Sequence, residues 1–148
     1  MAIARIGDWE FFVPDGWELK DNGVGISYIE APDGVAGMYV KCIELDAPKA
    51  TARDMADYLQ QTHQASFGNS DAANWRVIER REVAGSPAHR SALDMLDEGG
   101  SYRVLSLVVC DAREAIQITV HDYLCEDYEV TRGQFSEIEQ SIKRAAVG

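Results

Sequence analysis

Cysteine is rare in this chain: only three cysteines occur among the 148 residues, at positions 42, 110 and 125. Their odd number and the lack of a C-x-x-C spacing argue against a disulfide framework and against a cysteine-rich metal site. Cys42 and Cys110 lie inside apolar runs, where a free cysteine usually behaves as a small strand residue. We therefore expect free thiols, which are typical of a reducing compartment.

Basic residues are also few. The chain has 14 Lys and Arg against 25 Asp and Glu, a formal net charge of -11. Recognition of nucleic-acid phosphates needs clustered Lys and Arg, so we expect no nucleic-acid partner. An acidic surface would speed the encounter with a basic protein partner. Alternatively, the acidic surface only aids solubility, and both interpretations remain open here.

Long apolar runs are missing as well. A membrane-spanning helix needs about 20 consecutive apolar residues, and no run in the sequence approaches that length. The first residues, "MAIARIGDWEFF", contain no basic segment followed by a continuous apolar stretch. We therefore expect no signal peptide, no stable membrane insertion and a cytoplasmic protein.

Strand patterns dominate what is present. The early runs "WEFFV", "WELK", "GISYIE" and "GMYVKCIEL" read as strands. Four later runs, "WRVIERREV", "AHRSALDML", "SYRVLSLVV" and "AIQITVHDY", are joined by turn signals at Gly85-Ser86, Gly99-Gly100 and Ala112-Arg113. Alternating runs with tight turns predict an antiparallel meander.

Apolar residues recur at helical spacing in two segments, from Ala50 to Phe67 and from Thr131 to Ala146. The chain length suits one domain, residues 1–148, with a sizeable core. The predicted fold class is α+β: an antiparallel sheet with a C-terminal meander, flanked by two main helices that we expect on one face.

The turns predict the register of the meander. If the second and third turns contain two residues each, Met95 opposes Val104 and Leu107 opposes Ile118. One face is then almost wholly apolar and should pack under the helices; it carries Ala92, Leu105, Leu107, Val109, Ile116, Ile118 and Val120.

The opposite face of the meander mixes apolar and polar side chains, and we call it the mixed face. It carries Leu93, Met95, Tyr102, Val104, Ser106, Val108, Gln117, Thr119 and His121. Apolar patches with a polar rim are typical of interfaces, so these residues are predicted to bind a partner. Cover by the N-terminal strands, or simple exposure of apolar residues, is the alternative. The prediction implies that Val104→Asp abolishes binding and leaves the fold intact.

The stretch "DWEFFVPDGWEL" gathers four aromatic residues around the turn Pro14-Asp15-Gly16. We interpret residues 11–13 as the first edge of the sheet. Trp9 and Trp17 would anchor the resulting hairpin to the domain by core or rim packing. A ligand cage is the alternative.

Few residues suggest catalysis. His63, His89 and His121 lack the spacing of metal ligands, and satisfied or surface histidines are the favoured interpretation. The segment "HDYLCEDYE" could pair His121 with Cys125 in a hydrolase-type enzyme, but an acidic loop before the last helix is favoured. We predict no catalytic residue, metal or cofactor.

Three stretches resemble a known superfamily. These are "EFFVPDGWEL", the meander "IERREVAGSPAHRSALDMLDEGGSYRVLSLVVCDAREAIQITV" and the closing "FSEIEQSIKRA". Together they resemble the superfamily that groups the photosystem II extrinsic protein P, the Mog-type Ran-binding proteins and the bacterial DcrB/DUF1795 proteins. The resemblance implies an antiparallel sheet flanked by helices and a non-enzymatic binding or assembly role.

The cytoplasmic bacterial branch of that superfamily includes effector-associated chaperones of type VI secretion. The resemblance therefore implies a homodimeric chaperone or adaptor that shields apolar segments of a secreted effector. Two alternatives remain: an immunity protein that binds the catalytic domain of a toxin, and the enzyme that would use His121 with Cys125.

Overall fold

The computed structural model describes residues 2–23, 26–44, 52–68, 75–83, 89–97, 99–111, 114–124 and 126–145. The strands and helices follow in chain order: β1 Ala2–Ile6, β2 Trp9–Val13, β3 Glu18–Gly23, β4 Ile26–Glu30, β5 Ala36–Glu44, α1 Ala52–Gly68, β6 Trp75–Val83, β7 His89–Asp97, β8 Arg103–Cys110, β9 Glu114–Asp122, α2 Tyr128–Ser141 and β10 Lys143–Arg144. This mixture of two helices with antiparallel sheets confirms the predicted α+β class.

A seven-stranded antiparallel sheet, in the order β3-β4-β5-β9-β8-β7-β6, forms the centre of the molecule. Strands β6 to β9 are the predicted meander. Met95 opposes Val104 and Leu107 opposes Ile118, so the predicted register is confirmed. At the β7–β8 turn the N–H of Gly100, whose φ is +72°, donates to the carbonyl of Asp97. The predicted turns at 85–86 and 112–113 lie outside the described residues.

A second sheet corrects the prediction for the first strands. β2 is the centre of a three-stranded sheet, β1-β2-β10, and not an edge of the main sheet. The turn Pro14-Asp15-Gly16 does form, with the Trp17 N–H donating to the Pro14 carbonyl at 3.2 Å. It leads from the small sheet to β3 in the large one, so it does not close a hairpin. The reason is that β2 pairs with β1 and with β10, which lies far away in sequence.

The main core lies between the apolar face of the meander, α2 and the small sheet. Trp9 and Phe11, 2% and 1% exposed, pack in one cluster with the α2 residues Phe135 and Ile138. Trp17 packs against the same cluster, so core packing of both tryptophans is confirmed. Asp127 is the N-cap of helix α2. Its side chain accepts a hydrogen bond from the Val130 N–H, one of the backbone donors that lack a partner within the helix.

The two helices lie on opposite faces of the large sheet, which corrects the expectation that both cover one face. Ala56 of α1 is fully buried against Val108, Cys110 and Ala115 on the mixed face. The topology explains this arrangement, because β5 and β6 are parallel with three strands between them. Their connection must cross over β9, β8 and β7, and α1 belongs to that crossover. Neither helix in the described part of the chain combines the length and apolar character of a bilayer span.

Candidate functional site

The nine residues predicted for the mixed face do share one face of the sheet. Across the meander Leu93 opposes Ser106, which opposes Thr119, and Val104 opposes His121. The structure divides this face into three regions with different surroundings: one under α1, one closed by aromatic rings, and one open.

The first region lies under α1. Gln60 donates from Nε2 to the carbonyls of Ser91 and Ser106, at 2.9 and 3.2 Å. The Ser106 hydroxyl in turn donates to Gln60 Oε1 at 3.0 Å. His63 Nδ1 lies 2.8 Å from that hydroxyl oxygen and completes the network. Ser106 and Val108, both 0% exposed, therefore hold the helix and do not face solvent.

The second region is a small apolar cluster. Leu93, Met95 and Val104 are 1%, 1% and 0% exposed, and they pack against the partly buried rings of Trp75 and Tyr102. A carboxylate at position 104 would be buried without compensation, at a cost of several kcal/mol. The expectation that Val104→Asp leaves the fold intact is therefore wrong, because sequence alternation identifies a face and does not identify what covers it.

The third region is open and forms a cavity of about 300 Å³, which we call the groove. Its predicted members are Gln117, Thr119 and His121, all on β9. The strands beside β9 and the helix above it supply the other lining residues: Ile26, Tyr39, Lys41 and His63. Carbon atoms make up most of the accessible wall. Ile26 is 45% exposed and Tyr39 38% exposed, so solvent reaches both side chains.

Two imidazoles of the groove are neutral at physiological pH. Burial lowers the pKa of His63 to about 4. Burial, and secondarily the neighbouring His63, lowers the pKa of His121 to about 4. His121 Nδ1 shares a hydrogen bond of 2.6 Å with the Tyr102 hydroxyl, whose pKa burial raises to about 12. Among the described lining residues, the groove therefore presents neutral polar groups and one cation, Lys41.

One polar atom of the groove stands out. The side-chain nitrogen Nε2 of Gln117 is buried and has no hydrogen-bond partner among the described residues. A buried donor without a partner costs about 1–3 kcal/mol, so an acceptor supplied by a ligand would recover that free energy.

Six aromatic rings border the groove and the apolar cluster, and we call them the aromatic band. Tyr28 and Tyr39 lie 4.6 Å apart, and His121 is 5.2 Å from Tyr39 and 5.8 Å from Tyr102, all between ring centroids. Tyr123 stacks on His121 at 5.9 Å, and Trp75 meets Tyr102 edge-on at 5.3 Å. The band comprises Tyr28, Tyr39, Trp75, Tyr102, His121 and Tyr123.

Sequence reasoning missed the β4 and β5 contribution to this site. Ile26 opposes Lys41, which opposes Gln117, and Tyr28 opposes Tyr39, which opposes Thr119. The N-terminal strands thus extend the mixed face sideways from β9 and do not cover it. Alternation in "GISYIE" and "GMYVKCIEL" indicated strands, but only the pairing of β5 with β9 places them beside the predicted residues.

The catalytic alternative gains no support from the described residues. Cys125, its proposed nucleophile, lies outside the described residues. Burial raises the pKa of the Cys110 thiol to about 11 and raises that of Cys42, so both are protonated at neutral pH. Both are free thiols, as predicted. Asp127 caps α2, in accord with the interpretation of "HDYLCEDYE" as an acidic entry to that helix.

The architecture is that of the PsbP-like fold. The solution structure of cyanobacterial PsbP (CyanoP) from Synechocystis sp. PCC 6803 has a TM-score of 0.70 and 14% identity, over 93% of this chain and 86% of that one. The crystal structure of LpqN, involved in cell envelope biogenesis of Mycobacterium tuberculosis, has a TM-score of 0.66 and 10% identity, over 93% and 83%.

A structure from Bacteroides thetaiotaomicron is also similar, with a TM-score of 0.53 and 10% identity over 94% of this chain and 46% of that one. No protein-family model matches the chain. No curated protein matches it. At these identities the likeness establishes the fold, and the expectation of a fold shared with the photosystem II extrinsic protein P is confirmed.

Proposed function

We propose that this protein is a non-enzymatic, cytoplasmic binding protein of the DcrB/DUF1795 type, which acts as a chaperone or adaptor for a secreted effector, such as a type VI effector. In this proposal the groove and the partly exposed rings of the aromatic band receive an apolar segment of the effector. The free protein would be a homodimer.

The buried Gln117 donor, which has no partner among the described residues and lies in an apolar-walled groove, carries the proposal. An accessible apolar wall favours a partner that brings apolar surface, because removing that surface from water stabilises the complex by about 25 cal/mol per Å². The buried Nε2 favours a partner that also brings a hydrogen-bond acceptor at the groove floor. A polypeptide segment with apolar side chains and backbone carbonyls meets both requirements.

The two neutral imidazoles support the same partner chemistry. A charged imidazole would make the groove costly to desolvate, whereas His63 and His121 stay uncharged near pH 7. Rings of the aromatic band offer flat apolar area with little conformational entropy to lose, a property common among residues that dominate binding energy. Of the lining residues that the structure describes, Lys41 alone places a full charge at the rim, and it is exposed.

The proposal predicts that Ile26→Asp weakens effector binding by about thirtyfold or more, since an interface anchor is worth about 2 kcal/mol. The tagged full-length protein captures its partner from lysate of the source organism, mass spectrometry identifies it, and titration gives the affinity. Ile3→Asp is the matched control, because Ile3 is 65% exposed on β1, a strand of the other sheet.

Gln117→Met tests the donor separately. It should weaken binding and also stabilise the free protein, since it removes a buried donor that lacks a partner among the described residues.

An exported protein with apolar segments, bound by the wild type and by Ile3→Asp but lost with Ile26→Asp, would support the chaperone. Equal binding by all variants would exclude the groove. The mass of the free protein by light scattering tests the dimer.

A second candidate function rests on a different cavity. A space of about 350 Å³ between the β4–β5 turn and the start of α2 is lined by several carboxylates, including those of Asp33, Glu126 and Asp127. Leu124 and Val130, 50% and 54% exposed, lie among them. We infer that this surface would suit the basic cleft of a toxin, which is the immunity protein alternative.

Salt dependence separates the two candidates. An interface of carboxylates against a basic cleft should weaken steeply as salt increases, while an apolar segment in the groove should respond little. Capture of a folded catalytic domain that is lost with Asp33→Asn and Glu126→Gln, and retained by Ile26→Asp, would favour the immunity protein.

A further inference from the structure

A second cluster of polar side chains lies on the mixed face, at the opposite end of α1 from the groove. It brings together Asp57 of α1, Glu82 of β6 and His89 of β7. Each residue offers one ligand atom, and these atoms lie within 4.8 Å of one another. Sequence spacing could not reveal this cluster, because its members come from three separate elements.

The topology explains why these side chains meet. Glu82 opposes Ser91 across the β6–β7 pair, so it shares a face with Ser91 and with His89, two residues earlier on β7. Gln60 of α1 holds the Ser91 carbonyl, and Asp57 lies one turn before Gln60 on the same side of the helix. The convergence therefore follows from strand register and from the docking of α1.

His89 supplies the observation that points to a ligand. Its side chain is only 6% exposed, and its Nε2 is buried without a hydrogen-bond partner among the described residues. A buried ring nitrogen without a partner costs about 1–3 kcal/mol. Two carboxylates close to a buried imidazole are the donor set that first-row divalent metals prefer.

We propose that Asp57, Glu82 and His89 bind a divalent transition-metal ion, with Zn²⁺ the best-suited probe. A tetrahedral ion with bonds of about 2 Å holds its ligands about 3.3 Å apart, so modest side-chain rotations would close the site around it. Three protein ligands leave the fourth position for water. Glu82 is exposed and gives the ion a path from solvent.

The ion would link α1 to β6 and β7. The dication would be stabilised by the two carboxylates, and the His89 ring, whose Nε2 has no hydrogen-bond partner within the described chain, would gain a metal bond. This proposal does not rest on the groove, and either can fail without the other.

Isothermal titration of the metal-free full-length protein with ZnCl₂ tests the site. We expect one ion per chain and a higher unfolding temperature with zinc. Asp57→Asn and Glu82→Gln should each lower the affinity about tenfold or more. Asp54→Asn, an equal loss of charge one turn earlier on α1, should bind like the wild type. His89→Gln should abolish binding, and the two carboxylate variants keep the test valid if this variant does not fold.

The chain also contains three cysteines, whose thiolates could bind zinc elsewhere, so a second measurement must identify the type of ligand. Titration with Co²⁺ should give a spectrum without thiolate-to-metal charge transfer, because the proposed ligands are nitrogen and oxygen. A charge-transfer band, zinc affinities in Asp57→Asn and Glu82→Gln equal to that of the wild type, or no saturable binding of zinc would each overturn the proposal.

Discussion

Gly37 is the residue at which the aromatic band is most sensitive to a small change. A Cβ atom at position 37 would lie 2.7 Å from Cε1 of Tyr28, closer than real Cβ contacts come. Tyr28 cannot yield easily, since its hydroxyl lies 3.1 Å from that of Tyr123 and its ring packs on Tyr39. The missing side chain at position 37 is therefore what lets Tyr28 lie flat across the sheet.

We predict that Gly37→Ala destabilises the protein by about 1–3 kcal/mol, because overpacking forces the Tyr28 ring out of place. Equilibrium unfolding in urea measures the change. Gly133→Ala is the matched control: a Cβ there meets nothing within 4 Å, and an alanine in the exposed part of α2 should stabilise by about 0.5–1 kcal/mol. Equal stabilities of Gly37→Ala and the wild type would contradict the proposed packing.

The sequence predicts which residues share a face, but it does not predict which of them solvent reaches. Alternation and turn lengths correctly place Leu93 and His121 on one face. Leu93 is closed off by Trp75 and Tyr102, while His121 opens into the groove. That difference depends on which elements cross the face, and no periodicity within a strand encodes it.

Helix α1 is held to the sheet by a polar anchor within a small apolar contact. Gln60, 3% exposed, donates to two strand carbonyls and accepts from Ser106. Among the described side chains of α1, the apolar contact centres on Ala56, with Met55 and Leu59 packed beside it. The position of the helix, and of the groove wall that His63 forms, therefore depends strongly on this amide, together with the His63–Ser106 hydrogen bond.

Gln60→Ala should cost about 2–4 kcal/mol, since it removes the hydrogen bonds to the Ser91 and Ser106 carbonyls and the acceptor of the buried Ser106 hydroxyl. Amide hydrogen exchange should then rise in α1 more than in α2, because the loss is local. Gln61→Ala is the control, being the same substitution at the next, exposed position. A uniform rise over both helices would mean that α1 does not dock independently.

Elements stabilised by local pairing were predictable, and those stabilised by remote pairing were not. The meander could be placed in register because each strand meets its neighbour through a short turn. β10 has only two residues, Lys143 and Arg144. It forms because they pair with the edge of β2 that β1 does not occupy. α1 was recognised as a helix, but its face followed from the crossover between β5 and β6.

The molecule as a whole should lose stability in mild acid. His63 and His121 have pKa values near 4 in the folded state, below the ordinary value of 6.5. Between those limits the unfolded chain binds more protons than the folded one. Stability is therefore fully present above pH 6.5 and falls as the pH drops towards 4, by at most about 1.4 kcal/mol per pH unit for each ring.

Urea unfolding at pH 7.5 and at pH 5 measures this loss. The variant that carries both His63→Gln and His121→Gln should lose less stability between the two pH values than the wild type does. The same pH dependence in both proteins would assign the acid sensitivity to other groups.

The small sheet also determines the order in which the protein can fold. The Phe12 N–H donates to Ser141 Oγ across 129 positions of sequence, and β10 pairs with β2 over a similar span. Such remote contacts form slowly, whereas the hairpins of the meander need only short loops. During synthesis β2 leaves the ribosome early. The rings of Trp9 and Phe11 then stay exposed to solvent until α2 has been synthesised and can pack on them. That interval is when the nascent chain is most prone to aggregate.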